Sequence, residues 1–387
     1  MSFLKFADIK RGKDSSDRVG QFMLACYIIL FLIFLVLPLG SLIFKSLQNK
    51  DGDFVGLINY KLYLQEPALF QSLYNSLFVA ITSTIIVVVI AFLFSYALTR
   101  TCMPFKGFFK LIALIPLLSP SILAAIALVY WFGNQGVLKE MLLGKSIYGP
   151  IGIIMASVYW TFPHALIILT TSLSLSDSRL YEAAEVLKTS KIRAFFTITI
   201  PGARYGIIST AFVIFTQVFT DFGVPKVIGG NYNVLATDIY KEVVGMQNFQ
   251  MGAVISMVLL VPAMIAFFID RYSRKKQISL LTSRSVVFKP KKHFKTDMIM
   301  LAFCSALALI IILMIGMAQY GAIVKFWPYN LNLTLKHYNF EVAGLGWDSF
   351  YNSVRLAFYA AVFGTIIIFV GSYLIENLAK FKKLRKI

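Results

Sequence analysis

The chain has 387 residues, of which 58% are hydrophobic, 15% aromatic and only 14% charged, with a formal net charge of +19. So much apolar surface excludes a water-soluble fold of this length and predicts an all-α membrane protein. The three cysteines, Cys26, Cys102 and Cys304, lie in or beside apolar runs without the close pairing or histidine partners of zinc, redox or disulfide frameworks, so they read as small core residues.

A hydrocarbon core about 30 Å thick needs about 20 apolar residues per helix, because lipid offers backbone groups no partner. Eight stretches qualify: 21–44, 76–99, 111–130, 151–173, 206–224, 251–269, 298–324 and 352–375. They predict a polytopic helical bundle of about eight transmembrane helices. The first stretch is too long and wrongly flanked for a cleaved signal peptide. Pro116 and Pro120 in the third, and Pro163 in the fourth, read as bends. With segment 1–20 in the cytoplasm, the inner segments hold 27 of the 37 Lys and Arg residues, which satisfies the positive-inside rule. The basic runs RYSRKKQ at 271–277 and KPKKHFK at 289–295 then anchor helix ends against the anionic lipid of the bilayer, and nucleic acid is not an expected partner.

The pentapeptide SLYNS at 72–76 returns as SFYNS at 349–353. A shift of 277 places Ser72 on Ser349, Tyr74, Asn75 and Ser76 on Tyr351, Asn352 and Ser353, and Ser95 and Tyr96 on Ser372 and Tyr373 without a gap. Both copies open a span running inward and leave into basic segments, at 99–110 and 376–387. Shared register and topology predict a duplicated membrane unit. The expected division is a first six-helix unit at 21–270, a basic cytoplasmic linker at 271–297, and the first two helices of a second, incomplete unit at 298–387.

Between the fourth and fifth spans the longest cytoplasmic loop, 176–204, reads SDSRLYEAAEVLKTSKIRAFFTITIPGAR. Adjacent Ala183 and Ala184 allow close approach to another surface, Glu182 and Glu185 favour the start of a helix, and Leu187 offers an apolar contact. Pro201 is expected to end the cytoplasmic segment before the fifth span. Glu182, Ala183, Ala184, Ile198 and Pro201 keep the spacing of the EAA loop, and the loop resembles that of ABC importer permeases. The resemblance implies a coupling helix that docks into a cytoplasmic ATPase subunit, an extracytoplasmic solute-binding protein, and a location in the cell inner membrane. Where the family usually has glycine, six residues after the Glu, this chain has Lys188, and if that turn needs a positive φ lysine costs about 1 kcal/mol relative to glycine.

Segments 220–254 and 324–340 resemble the ferric-iron and 2-aminoethylphosphonate permeases, the latter stretch more closely the phosphonate members. By that likeness twelve spans and two EAA loops are expected, so a further polypeptide would supply the second permease half, and this chain alone would not complete an importer. A phosphonate is the expected solute and ferric iron the alternative. The candidate path residues are Gln217, Thr220, Asp221 and Lys226 near the outer end of the fifth span, with His164 in the fourth. A carboxylate at membrane depth is costly, so Asp221 is expected either to face a passage or to staple neighbouring helices. Asp221 could meet an ammonium group and Lys226 a phosphonate. GKS at 144–146 resembles the end of a phosphate-binding loop, but Lys139 stands where such a loop needs glycine, and no catalytic, metal or cofactor site is expected. A secondary transporter and a nonfunctional permease fragment are the readings of another class; the EAA loop counts against the first.

Overall fold

A computed structural model describes residues 15–175, 177–279, 288, 290–339, 341 and 346–377. The N-terminal segment up to residue 14, Ser176, residues 280–287 and Lys289 of the linker, and the basic tail from residue 378 lie outside the described residues, as do the side chains of 273–277 in the RYSRKKQ run.

The chain begins with α1 (Ser15–Phe31), a π-helical turn at Leu32–Val36 and α2 (Leu37–Ser46), which run together as one span. The π turn has a local cause. Pro38 lacks an N–H and its ring would press on the carbonyl of Phe34, four residues back; widening that turn, with Leu37 N–H donating to Leu32 O, relieves the conflict. Next come α3 (Ile58–Gln65) and α4 (Pro67–Arg100), the latter opened by proline at a position that needs no N–H.

The third expected span is broken. α5 (Lys106–Leu114) continues into a 3₁₀ turn at Ile115–Leu118, and α6 (Ser121–Phe132) leaves at 101° to it. Ser119, forced out of helical conformation by Pro120, is extended, and its hydroxyl donates to Pro116 O at 3.0 Å. The prolines therefore stop the helix rather than bend it. α7 (Pro150–Ser174) crosses intact despite Pro163, and α8 (Ser178–Val186) and α9 (Lys191–Ala194) follow. A second π turn, Phe195–Thr199, leads into α10 (Ile200–Phe219). Pro201 thus sits inside a helical run from 191 to 219, and does not end the cytoplasmic segment as expected; the π turn holds Thr197, the residue its ring would otherwise press on. The fifth span starts fifteen residues before the expected 206 and ends at Phe219, ahead of Asp221. α11 (Gly223–Ile228), α12 (Leu235–Tyr240), α13 (Phe249–Ser279) and α14 (Phe294–Ile323) come next. A short antiparallel hairpin, β1 (Val324–Phe326) with β2 (Asn330–Leu333), and α15 (Gly346–Asn377) complete the order. Among the described residues seven helices are long and apolar enough to span a membrane, eight with the bent pair.

The chain divides into two compact units, one of residues 45–334 and one of 1–44 with 335–387. In the larger, α4, α7 and α10 form the centre and α13 packs on α10. Small residues line their contacts: Ala80, Ala91, Ala97, Ala156, Ala165 and Ala203 are all fully buried. A Cβ on Gly206 would fall 2.2 Å from Ser172 Oγ, so α10 and α7 meet there at backbone distance. Ser95 on α4 donates to Leu166 O and receives from Thr170 Oγ1 at 3.1 Å.

On the division expected from the sequence, the first helix of each repeat packs with the second helix of the other. In the larger unit α14, which opens the second repeat, lies against α4, α5 and α6, where a Cβ on Gly321 would strike the Tyr130 ring. In the smaller unit α1 lies against α15, Gly371 leaving room for the Tyr27 ring. The sequence division at the linker separates repeats, whereas packing exchanges their first helices.

Candidate functional site

The loop between α7 and α10 is built by local capping. Asp177 accepts from Arg179 N–H at 3.1 Å and starts α8; the Ser178 hydroxyl donates to Glu182 Oε1 at 3.2 Å. α8 stops in a left-handed turn: Lys188 has φ +54°, its N–H donates to Glu185 O and Thr189 N–H donates to Ala184 O. That hydrogen-bond pair is a Schellman ending, where glycine is favoured. The strain anticipated for Lys188 is therefore present. Ser190 then caps α9 through Arg193 N–H.

The loop's two faces differ. Ala184 is buried, whereas Glu182 and Ala183 are exposed and Val186, Leu187 and Ile192 are 83%, 77% and 75% exposed, with Leu180 and Phe196 also open. Ile198 is half-buried. Glu185 receives both of its oxygens' bonds from Lys291 Nζ at 2.6 Å, an exposed pair worth little to stability.

Sequence reasoning missed what holds the buried face. Arg100, the last residue of α4, is nine-tenths buried and donates from Nη2 to Leu173 O at 2.6 Å, in the last turn of α7, where Leu175 N–H also donates to it. Its Cζ lies 5.2 Å from the Tyr181 ring centre on α8 and 4.6 Å from that of Phe288. The Tyr181 hydroxyl meets Thr199 Oγ1 at 3.0 Å. One and two turns back on α4, the Tyr96 and Phe92 rings contact Phe195 edge to face at 5.7 and 5.9 Å. A groove of about 690 Å³ runs below α8, lined among others by Tyr96, Arg100, Tyr181, Phe288 and Lys291. Beside it Asp297 of α14 accepts from the N–H groups of Cys102 and His293, and Cys102 Sγ donates to Pro290 O, so Cys102 is more than a core filler. Spacing of four along α4 was the available signal for Phe92, Tyr96 and Arg100.

The candidate path residues are not brought together. Asp221 accepts from Ser121 Oγ at 2.9 Å and from Val224 N–H at 3.0 Å, so it caps α11 and ties it to the start of α6. Lys226 Nζ stands 4.3 Å over the Tyr240 ring, and among the described residues no ion pair joins it to Asp221. Thr220 is exposed and returns its hydroxyl to Thr216 O. Gln217 Oε1 and His164 Nδ1 are buried without a hydrogen-bond partner, and the His164 ring meets Trp160 edge to face at 6.1 Å. GKS lies in an irregular segment with Leu143 and Gly144 both at positive φ, unlike a phosphate loop.

The SLYNS motif has a structural task. Asn75 Nδ2 donates to Asn233 O, Ser76 Oγ accepts from Leu235 N–H at the start of α12, and Ser76 Oγ donates to Ser72 O. Ser353 donates to Ser349 O in the second copy at the same 2.8 Å. Close by, burial raises the Asp238 carboxyl above its usual range, against the Ser72 hydrogen bond and Lys241; burial, then Asp238, pushes the Tyr63 hydroxyl up to about 12.

Residues 103–279, which hold this loop, match the family described as the binding-protein-dependent transport system inner membrane component. The chain is 26% identical over 368 residues, 90% of its length and 56% of the other, to a Haemophilus influenzae protein named for ferric transport, FbpB 1. It is 24% identical over 392 residues, 94% of its chain and 55% of the other, to the ferric transport system permease protein FbpB of Actinobacillus pleuropneumoniae. The spermidine/putrescine transport system permease protein PotB of Escherichia coli is 26% identical over 243 residues, 59% of this chain and 88% of that one. The chain thus spans about half the length of the ferric relatives. A solved bacterial alginate ABC transporter shares the fold, with a TM-score of 0.56 at 18% identity over 70% of this chain and 97% of that one.

Lys188→Gly should relieve the left-handed turn and stabilise the end of α8 by about 1 kcal/mol. Amide hydrogen exchange at 184–189 should slow about fivefold. Exchange unchanged or faster would show that Lys188 carries no strain there.

Proposed function

We propose that this chain is a membrane subunit of an ATP-driven importer, and that segment 177–199 docks the cytoplasmic ATPase. The observation that carries the reading is the apolar face of Leu180, Val186, Leu187, Ile192 and Phe196, exposed on a loop whose opposite face is fastened to the bundle. Exposed apolar side chains in water, rimmed by Glu182, Lys188 and Arg193, mark a protein contact. The chain hydrolyses nothing itself in this reading; ATP hydrolysis belongs to the docked subunit. The excess of Lys and Arg on the same side supports placing the loop and the N-terminus in the cytoplasm of a cell whose inner membrane it spans. A solute-binding protein delivers cargo at the opposite side. The repeats at 21–270 and 298–387, joined by the basic linker, form part of a passage that needs two six-helix units, the remaining spans coming from further residues or another polypeptide.

Ferric iron is the favoured cargo. Two relatives that align with 90% or more of the chain carry ferric transport in their names. A phosphonate is the second reading, supported by the likeness of segments 220–254 and 324–340. Its charge argument is weakened because Asp221 is committed to capping α11 and Lys226 to a ring. An ion-gradient carrier would leave the exposed face of α8 without a task.

Glu182→Lys reverses a charge on the rim of the docking face. It should cut ATPase co-purification and uptake by about tenfold, a loss of ~1.4 kcal/mol, while insertion into the membrane stays normal. Undiminished assembly and uptake would refute the docking role. For the cargo, calorimetry on the companion solute-binding protein should show ferric iron binding. Affinity for 2-aminoethylphosphonate with none for iron would reverse the choice.

A further inference from the structure

Arg100 is a cation nine-tenths buried, and among the described residues no carboxylate lies within ion-pair distance of it. A buried guanidinium is costly unless its surroundings hold it, and here two aromatic rings and one carbonyl do so in part, Nε being buried without a hydrogen-bond partner. The three contacts come from three different places: Leu173 is in the last turn of α7, Tyr181 is on α8, and Phe288 precedes α14. Arg100 itself closes α4, the helix that contacts both α7 and α10 in the core. On the same stripe of α4, Phe92 and Tyr96 grip Phe195, beyond the far arm of the loop. The loop is thus held at both ends by one helix.

We propose that the Phe92–Tyr96–Arg100 stripe transmits movement of the docked loop to the membrane helices, with Arg100 as the positioning residue. The inference rests on reading segment 177–199 as the ATPase-docking loop. It adds a division of labour: the outer face of α8 binds, and Arg100 beneath it couples. Lysine cannot replace arginine in this place, because a compact ammonium cannot stand over both rings while a fork N–H reaches Leu173 O. The second repeat sharpens the assignment. Under the shift of 277, Phe369 and Tyr373 repeat the two rings and Asn377 stands where Arg100 does. The cationic tie therefore belongs to the first repeat, and Arg100→Asn installs there the residue of the second.

The test uses the full chain co-expressed with its ATPase and second permease half, reconstituted in proteoliposomes with the binding protein. Three quantities are read for wild type, Arg100→Lys and Arg100→Asn: ATPase bound, solute imported per ATP hydrolysed, and melting temperature. Both variants should bind the ATPase as wild type does and import about tenfold less per ATP, with Arg100→Lys no better than Arg100→Asn. Because a variant could fail to fold, Phe288→Leu is measured as well. It removes one ring without touching the charge or the Leu173 bond, and should also lower import per ATP at unchanged binding. A wild-type import-to-hydrolysis ratio in folded Arg100→Lys would overturn the proposal. So would loss of ATPase binding in that variant, since Arg100 would then belong to the docking surface. Absence of ATPase binding in wild type would instead overturn the docking assignment on which the proposal stands.

Discussion

A helix in hydrocarbon gains nothing by turning a leucine from lipid to protein, so the α4–α7–α10 centre depends on close backbone approach. Gly206 against Ser172 is the clearest case: no Cβ fits, and the alanines of the three helices repeat the principle along the contact. Close approach fixes where the helices end. Arg100 and Leu173 arrive at one level because α4 and α7 run in register from Ser95 and Leu166 onward. The loop from Asp177 to Thr199 then starts and finishes at that level. Its position follows from helix packing rather than from the loop's own residues.

Proline shapes the irregular parts, in two ways. At Pro38 and Pro201 a π turn absorbs the ring and the helix goes on. At Pro116 and Pro120, four residues apart, the second proline forces Ser119 to extend and the helix breaks. The break leaves the start of α6 free to receive Asp221, which ties α11 to it through Ser121. The carboxylate whose sequence position suggested cargo contact is thus used to hold two short helices together.

The spans were legible because lipid demands long apolar runs. Lys188 was legible as a strained turn only through the family resemblance, which puts glycine six residues after the Glu, and φ is +54° there. The start of the fifth span was not. Lys191, Arg193 and Arg204 make segment 191–205 look like a loop, although it is helical with Phe195 turned inward. The Arg100 site could not be read either, since its partners lie 73, 81 and 188 positions further along the chain. Nor could the exchange of first helices, which periodicity within one helix does not encode.

The account stands on segment 177–199 being the surface that meets the ATPase from the cytoplasm. Hydrogen exchange of the membrane-embedded complex, with and without the ATPase, measures this directly. Amides at 178–198 should slow by about tenfold or more on ATPase binding, while those at 139–146, at the opposite membrane surface, stay unchanged. Protection at 139–146, or none at 178–198, would contradict the account.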